Sequence, residues 1–539
     1  MLTAETNQKG CAFMKRLTSL LLAASVLLLS ACTAQQGSGD QTTDADTAAL
    51  SAVTTPQAGA EAPEGATVIA LSDSGVTVDG TAVSTDEADA VYVANDIVFY
   101  LEGQDFTYGA GSAGDAHSQA EADAHTVVHI TKAGTYSISG TLSAGQIAVD
   151  LGEGAEEDPD AVVTLILNGV DITCTVAPAI LFYRVYECGS DDAETASREV
   201  DTSAAGANLV IMDGSVNNIS GSYVAKIYKS VTLSEDGTQI TDSKKLHKYD
   251  GAVYAKMSLN VSGETEGDGV LNITAENEGL DSELHLTINS GVINITSGDD
   301  GINTNEDGLS VTTVNGGTVT ITVTGSLNGE GDGIDSNGWI VINGGTVMAY
   351  ACSSSPDSGI DSDMGIYLNG GTVISTGNML DAIDGGSQTY RVFNSRQSAG
   401  AALTVQDGDG TELLSFTAPN DFSILVVSMP DMTEEGTYTL WSGGAQLAEG
   451  TQSGGFGGGM EPPEGFDGQR PERPDGMEGM EPPEGFNGQR PELPDGAELP
   501  EGFQGRGGFG GRGGFGGRNG ALQVPDGTAP GQSSSQGTV

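Results

Sequence analysis

Val314-Asn315-Gly316-Gly317-Thr318-Val319 returns as Ile342-Asn343-Gly344-Gly345-Thr346-Val347 and again as Leu368-Asn369-Gly370-Gly371-Thr372-Val373. A variant, Ile288-Asn289-Ser290-Gly291-Val292-Ile293, precedes them. The Asn positions fall 26, 28 and 26 residues apart. On both sides of each turn, apolar residues alternate with Thr, Ser or Asn, which is strand patterning. Asn-Gly tolerates positive φ and marks a tight turn. An antiparallel hairpin would account for one such unit. It does not account for a second motif in step with the first: Glu278-Gly279-Leu280-Asp281, Asp300-Gly301-Ile302-Asn303, Asp332-Gly333-Ile334-Asp335, Ser358-Gly359-Ile360-Asp361 and Ala382-Ile383-Asp384. Coils of 20–30 residues with short strands and tight turns are the unit of a parallel β-helix. In that fold each motif stacks on its copy in the next coil, and inward Val, Ile and Leu form continuous columns.

Working outward, the same texture continues upstream in Leu165–Ile172 and Leu209–Gly214. Thr126–Leu142 alternates strongly and reads as a first coil or a capping strand pair. Polar stretches at Asp191–Ala205 and Ser234–Lys248 read as loops between coils. From 391 the Asn-Gly-Gly period stops. Runs such as Ser423–Val427 and Tyr438–Trp441 suggest a small sandwich that caps the sticky open end. The expected fold is all-β: a single-stranded, right-handed parallel β-helix over 67–390, a β-rich, sandwich-like cap over 391–449, and a disordered tail over 450–539. That tail repeats MEPPEGFDGQRPERPDG (460–476) as MEPPEGFNGQRPELPDG (480–496) and then carries Arg-Gly-Gly-Phe units at Arg506 and Arg512. Pro and Gly at this density do not build a core.

At the other end, Lys15 and Arg16 precede the apolar run Leu17–Leu29, and Leu29-Ser30-Ala31-Cys32 closes it. This resembles the lipobox of bacterial lipoproteins, which implies a signal peptide over 14–31 and lipidation at Cys32. An ordinary signal peptide ending at a cysteine is the alternative. Residues 1–13 have no signal character, so Met14 is read as the true start, and 32–66 as a flexible tether. The expected location is the outer face of a bacterial cell membrane, extracellular and lipid-anchored. Of the later cysteines, Cys174 and Cys188 could pair in an oxidising compartment, or all three with Cys352 could be small buried thiols.

The chain holds 539 residues with 80 Gly, 75 Asp+Glu and 20 Lys+Arg, a formal net charge of −55. That excess argues against nucleic acid, and against an anionic membrane surface as a direct partner. It is unevenly spread: no Lys or Arg lies between Lys256 and Arg391, whereas 19 Asp and Glu do. Like charges stacked coil on coil repel unless neutralised. Oxygen-rich sites of this kind suit Ca²⁺. The expected ligands are Glu278, Asp281, Asp299, Asp300, Asp332, Asp335, Asp357, Asp361, Asp363, Asp381 and Asp384, converging along one edge; capping of solvated turns is the bland alternative. No catalytic constellation stands out. His117, His125, His129, His247 and His285 lack metalloprotease spacing, there is no nucleophile elbow, and the Gly-rich stretches open no helix. A β-eliminating lyase would need a strong base, and the repeat core offers none. Lys226, Lys229, Lys244, Lys245, Lys248 and Lys256 cluster just ahead of it. Trp339 and Trp441 could stack a sugar ring or pack internally.

The order Ile130–Leu142, Gln146-Ile147, Leu167–Ile172, Asp250–Lys256 and Ser297–Ile302 resembles that of bacterial carbohydrate-binding-domain lipoproteins, over roughly 67–445. The resemblance implies a secreted, Ca²⁺-carrying polysaccharide binder of pectate-lyase-like shape, with cellulose and acidic pectic polymers as the substrate class. The carbohydrate contacts expected here are Trp339 and Lys256. The chain departs from the family in its long acidic loops and its Pro/Gly/Arg tail. A polysaccharide lyase or hydrolase on the same fold, and an adhesive surface protein without sugar specificity, are the rival readings.

Overall fold

The computed structural model describes residues 55–189 and 195–452. Cys32, the signal peptide, most of the tether and the tail from 453 lie outside the described residues. No helix among the described residues is long and apolar enough to cross a membrane.

Each coil of the repeat contributes three strands to three faces. The coil around Leu280 runs Glu278–Ser282, Leu286–Ile288 and Val292–Ser297. The next runs Ile302–Thr304, Val311–Val314 and Thr318–Val323. The third runs Ile334–Ser336, Trp339–Ile342 and Thr346–Tyr350, and the fourth Ile360–Ser362, Gly365–Leu368 and Thr372–Gly377. All of these strands pair in parallel with their counterparts one coil away. The period-two alternation then fixes the core. Leu280, Ile302, Ile334 and Ile360 stack inward on the first face. Val261, Ile288, Val314, Ile342 and Leu368 do so on the second, and Leu271, Ile293, Val319, Val347 and Val373 on the third. All are essentially inaccessible to solvent, each worth about 1.5–3 kcal/mol relative to exposure. Upstream, Thr126–Ile130 and Gly134–Leu142 form an early coil, and Val163–Thr173 another that serves two faces with one long strand.

The Asn-Gly-Gly turn joins the second face to the third and is not a hairpin. Its last glycine adopts φ of +83° at Gly317, +79° at Gly345 and +81° at Gly371. A Cβ on Gly345 would lie 2.6 Å from the carbonyl oxygen of Gly317 one coil away. Glycine is therefore required twice over, by conformation and by stacking distance. Gly345→Ala is expected to cost about 3 kcal/mol, from a left-handed backbone worth about 1–2 kcal/mol and a displaced carbonyl. Denaturant titration of the full chain measures it, and a cost under about 1 kcal/mol would refute the argument. Outside each turn the asparagines form a ladder. Nδ2 of Asn315, Asn343 and Asn369 donates to Oδ1 of Asn289, Asn315 and Asn343 at 2.9, 2.9 and 2.8 Å.

Four expectations change, and one open alternative is decided. Ser234–Lys248 is not a loop, because Ile240–Tyr249 pairs antiparallel with Val224–Leu233 in a two-stranded ribbon. The tether ends before 57: Gln57 exchanges backbone hydrogen bonds with Val216, and Asn168 binds the backbone of Gly59 and Ala60. Thr451 exchanges backbone hydrogen bonds with Val392, so the cap runs past 449. Cys174, Cys188 and Cys352 are all free, and Cys174 and Cys352 are buried, so no disulfide joins Cys174 to Cys188. Ile383–Gly385 leaves the acidic edge and pairs with Gly365–Leu368 on the second face.

The cap begins with Tyr390–Gln397, which pairs antiparallel with Phe422–Ser428. That strand also pairs antiparallel with Thr372–Gly377 of the last coil. A four-stranded antiparallel sheet of Ala402–Asp407, Glu412–Thr417, Tyr438–Ser442 and Ala445–Glu449 packs on this pair. Phe393, Phe422, Leu425, Leu403, Val405 and Leu440 fill the space between them, with Tyr350 and Ile374 from the coils.

Candidate functional site

The first face carries the acidic motif. Its strands are very short, and the residue after each inward Leu or Ile points outward. Asp281, Asn303, Asp335 and Asp361 are direct partners in the parallel register. Three residues earlier in the chain, Glu278, Asp300, Asp332 and Ser358 hold the matching motif positions. Glycine between these positions lets the coils close up: a Cβ on Gly333 would sit 2.4 Å from the carbonyl oxygen of Gly359, and one on Gly301 would sit 2.7 Å from that of Gly333. Two columns of mostly acidic side chains thus run side by side at the strand spacing of about 4.8 Å.

Of the eleven expected ligands, Asp332, Asp335 and Asp361 place carboxylate oxygens within 4.8 Å of one another, all half-buried. Asp300 adjoins them: its Oδ1 accepts the Asp332 backbone N–H at 2.7 Å, as Asp332 Oδ1 accepts that of Ser358 at 2.6 Å. Asp299 accepts from Asn328 Nδ2 at 2.8 Å. Glu278 and Asp281 are buried one coil earlier and accept from the side chains of Asn303 and Asn305. The remaining four do other work. Asp357 binds the Gly331 N–H and Asp381 the Ser362 N–H. Asp384 binds the Ile366 N–H at 3.0 Å, and Asp363 is exposed.

Electrostatics follow from this stacking. Burial, then the charges of Asp335, Asp332, Asp299 and Glu278, hold the Asp300 carboxyl well above the usual carboxylate range. Burial, then Asp361 and Asp335, do the same to Asp332. Asp335 is pushed up to about 7 by burial and by Asp361 and Asp363. Asp299 is pushed up to about 6, chiefly by burial. Each shift marks a place where negative charge is costly without a counter-charge.

One further residue belongs here. Asn303 stands in the column between Asp281 and Asp335 and is buried; its Nδ2 donates to Glu278 Oε1 at 3.0 Å, while its Oδ1 has no hydrogen-bond partner. A buried carbonyl oxygen without a donor is costly, and an amide oxygen is an ordinary ligand of hard cations. Its signal in the sequence was the last position of the motif, occupied by Asp in the other four copies. The all-oxygen donor set fits a hard divalent cation and no soft metal.

The two expected carbohydrate contacts lie elsewhere. Lys256 Nζ is 2.6 Å from Glu156 Oε1 and 5.2 Å from the centre of the Tyr183 ring. Trp339 opens its strand half-buried and, by alternation, on the outward side with Val341. Trp441 Nε1 donates to Thr439 Oγ1 at 2.9 Å within the cap.

Comparison with known proteins adds family to fold. No curated protein matches the chain. A solved structure described as a polysaccharide lyase-like protein from C. thermocellum, in a gadolinium derivative, is similar at 20% identity and a TM-score of 0.31, over 57% of this chain and 83% of that one. A family model described as "Carbohydrate-binding domain-containing protein" matches residues 124–195 and 194–412. These spans include the acidic columns and the asparagine ladder and amount to more than half of the chain, which therefore belongs to this family of carbohydrate-binding domain-containing proteins.

Proposed function

We propose that the chain is a polysaccharide-binding protein of the cell surface, anchored by a lipid on Cys32, whose acidic edge holds Ca²⁺ and presents it to an anionic glycan. The observation that carries the reading is the convergence of Asp332, Asp335 and Asp361 beside the unpartnered Asn303 carbonyl. These four, with Asp300, would hold the ion. Bound there, Ca²⁺ supplies positive charge and open coordination positions for glycan oxygens. The protein's own part is to fix carboxylates at the strand spacing and to bury their inner sides.

An edge of this charge repels a polyuronate on its own. Binding of polygalacturonate is therefore expected only with Ca²⁺ present. Affinity electrophoresis of the full chain against polygalacturonate tests this. Retention is expected in millimolar Ca²⁺, with at least tenfold weaker binding for Asp335→Asn/Asp361→Asn. Equal retention of the variant and the wild type would overturn the reading.

A further inference from the structure

The acidic first face has a complement in the same chain. Between Lys256 and Arg391 no Lys or Arg stands on the coils to offset the carboxylates. Residues 502–525, outside the described residues, are the reverse. Arg506, Arg512 and Arg518 stand there at six-residue intervals, and no Asp or Glu accompanies them. The preceding stretch, 453–501, carries 12 Asp and Glu against three Arg, so the same face repels it. Charge therefore selects the last part of the tail and not the whole of it.

The chemistry of the face suits arginine. Asp332, Asp335 and Asp361 hold carboxylate oxygens within 4.8 Å of one another. Beside them Asn303 is 8% exposed, and its Oδ1 has no donor. A guanidinium carries five N–H donors in a flat fork. It can bridge neighbouring carboxylates in bidentate fashion and still give an N–H to an amide oxygen. Glycine precedes each of the three arginines and follows two of them, and glycine lets a backbone come close to the surface it meets.

Reach favours a contact within one chain. Thr451 pairs with Val392, on the strand beside Phe422–Ser428, which itself lies on the last coil. Arg506 follows Gln452 by 54 positions, enough chain to extend to about 180 Å. The carboxylate column from Asp281 to Asp361 is three coil steps long, about 14 Å. A tethered segment that can reach its site meets it at an effective concentration on the order of millimolar, above that of segments from other copies.

We infer that residues 502–525 dock on the acidic first face of their own chain when Ca²⁺ is absent, with Arg506, Arg512 and Arg518 as counter-charges along the carboxylate columns, and that Ca²⁺ displaces them. Ion pairs at a half-exposed edge are individually weak, so the segment yields to a divalent ion held by several carboxylates. The displacement rests on the proposed ion site; the docking does not.

Two measurements on the full chain test this. In the first, Ca²⁺ is titrated calorimetrically at low ionic strength. Arg506→Gln/Arg512→Gln/Arg518→Gln is expected to bind the ion at least about fivefold more tightly than wild type, because its competitor is gone. Lys226→Gln/Lys229→Gln/Lys244→Gln removes the same charge from exposed positions of the two-stranded ribbon and is expected to match wild type. In the second, Arg506→Lys/Arg512→Lys/Arg518→Lys is treated with a carbodiimide in EDTA, and cross-links in the monomer band are mapped by mass spectrometry. Amide cross-links from these three positions to Asp300, Asp332, Asp335 or Asp361 are expected, and millimolar Ca²⁺ is expected to abolish them. Cross-links confined to other carboxylates would overturn the inference. So would an arginine variant that binds Ca²⁺ no more tightly than the lysine control. Failure of the ion reading would show instead as no heat of Ca²⁺ binding in any of the three proteins, and the cross-links in EDTA would then decide the docking alone.

Discussion

Removing divalent cations from the full chain with EDTA is expected to lower its melting temperature by roughly 10 °C. A ligand that binds only the folded state at a thousand times its dissociation constant stabilises by about 4 kcal/mol. In a chain of this size each kcal/mol moves the midpoint by about 2–4 °C. The dissociation constant implied by millimolar Ca²⁺ is micromolar, within the range of sites with several carboxylates. The cause lies in the first face, where Asp300, Asp332 and Asp335 are held above the ordinary carboxylate range by burial and by one another. Differential scanning calorimetry with and without EDTA measures it. A midpoint unchanged by EDTA, with readdition of Ca²⁺ also without effect, would contradict the proposed ion.

Asp335→Asn/Asp361→Asn should reverse its ranking with the buffer. In millimolar Ca²⁺ it is expected to melt below wild type, because two ligands have lost their charge. In EDTA it is expected to melt above wild type, because the same two charges no longer repel. Above pH 7, where Asp335 is ionised, two charges within 4.8 Å of each other repel by about 3 kcal/mol at an effective dielectric constant of about 20. Screening at a half-exposed edge reduces this to about 1–2 kcal/mol. Carboxylates that merely cap turns would predict a loss in both buffers. The crossing of the two curves therefore separates an ion site from a hydrogen-bonding site.

Much of this was legible in the order of residues, for a physical reason. A coil that stacks on itself must repeat its turn glycine at the same φ and its inward residue in the same column. Asn-Gly-Gly and Gly-Ile-Asp therefore appear at nearly constant spacing. The acidic edge was visible because the same stacking repeats each carboxylate. What the pattern did not reveal depends on contacts distant in sequence. The last copy, Ala382-Ile383-Asp384, looked like a fifth step of the edge. It lacks the glycine that lets the others close up: at the equivalent Gly359 a Cβ would sit 2.5 Å from the carbonyl oxygen of Ala349 one coil away. The strand moves to the second face, and Asp384 caps the Ile366 N–H there. Asn303 was read as part of a motif and not as a ligand, since only its burial between two acidic rungs leaves its carbonyl without a donor. The ribbon Val224–Tyr249 is polar on its exposed strand, so its composition resembled that of a loop. The segment Arg198–Ala205, which lies along the column of Asn260 and Thr287, has no period at all; its place follows from Thr202 meeting those two residues.

The antiparallel strand Phe422–Ser428 on the last coil has a consequence for molecules in number. Identical parallel coils are templates for one another, and nothing within a coil says where stacking should stop. A second copy added to an exposed end would begin a fibre by the same ladder that builds a single chain. Phe422–Ser428 occupies Thr372–Gly377 in the opposite chain direction. On the first face, Asp381 accepts the Ser362 N–H of the last strand. At this end of the stack, therefore, the chain itself opposes the addition of a further coil.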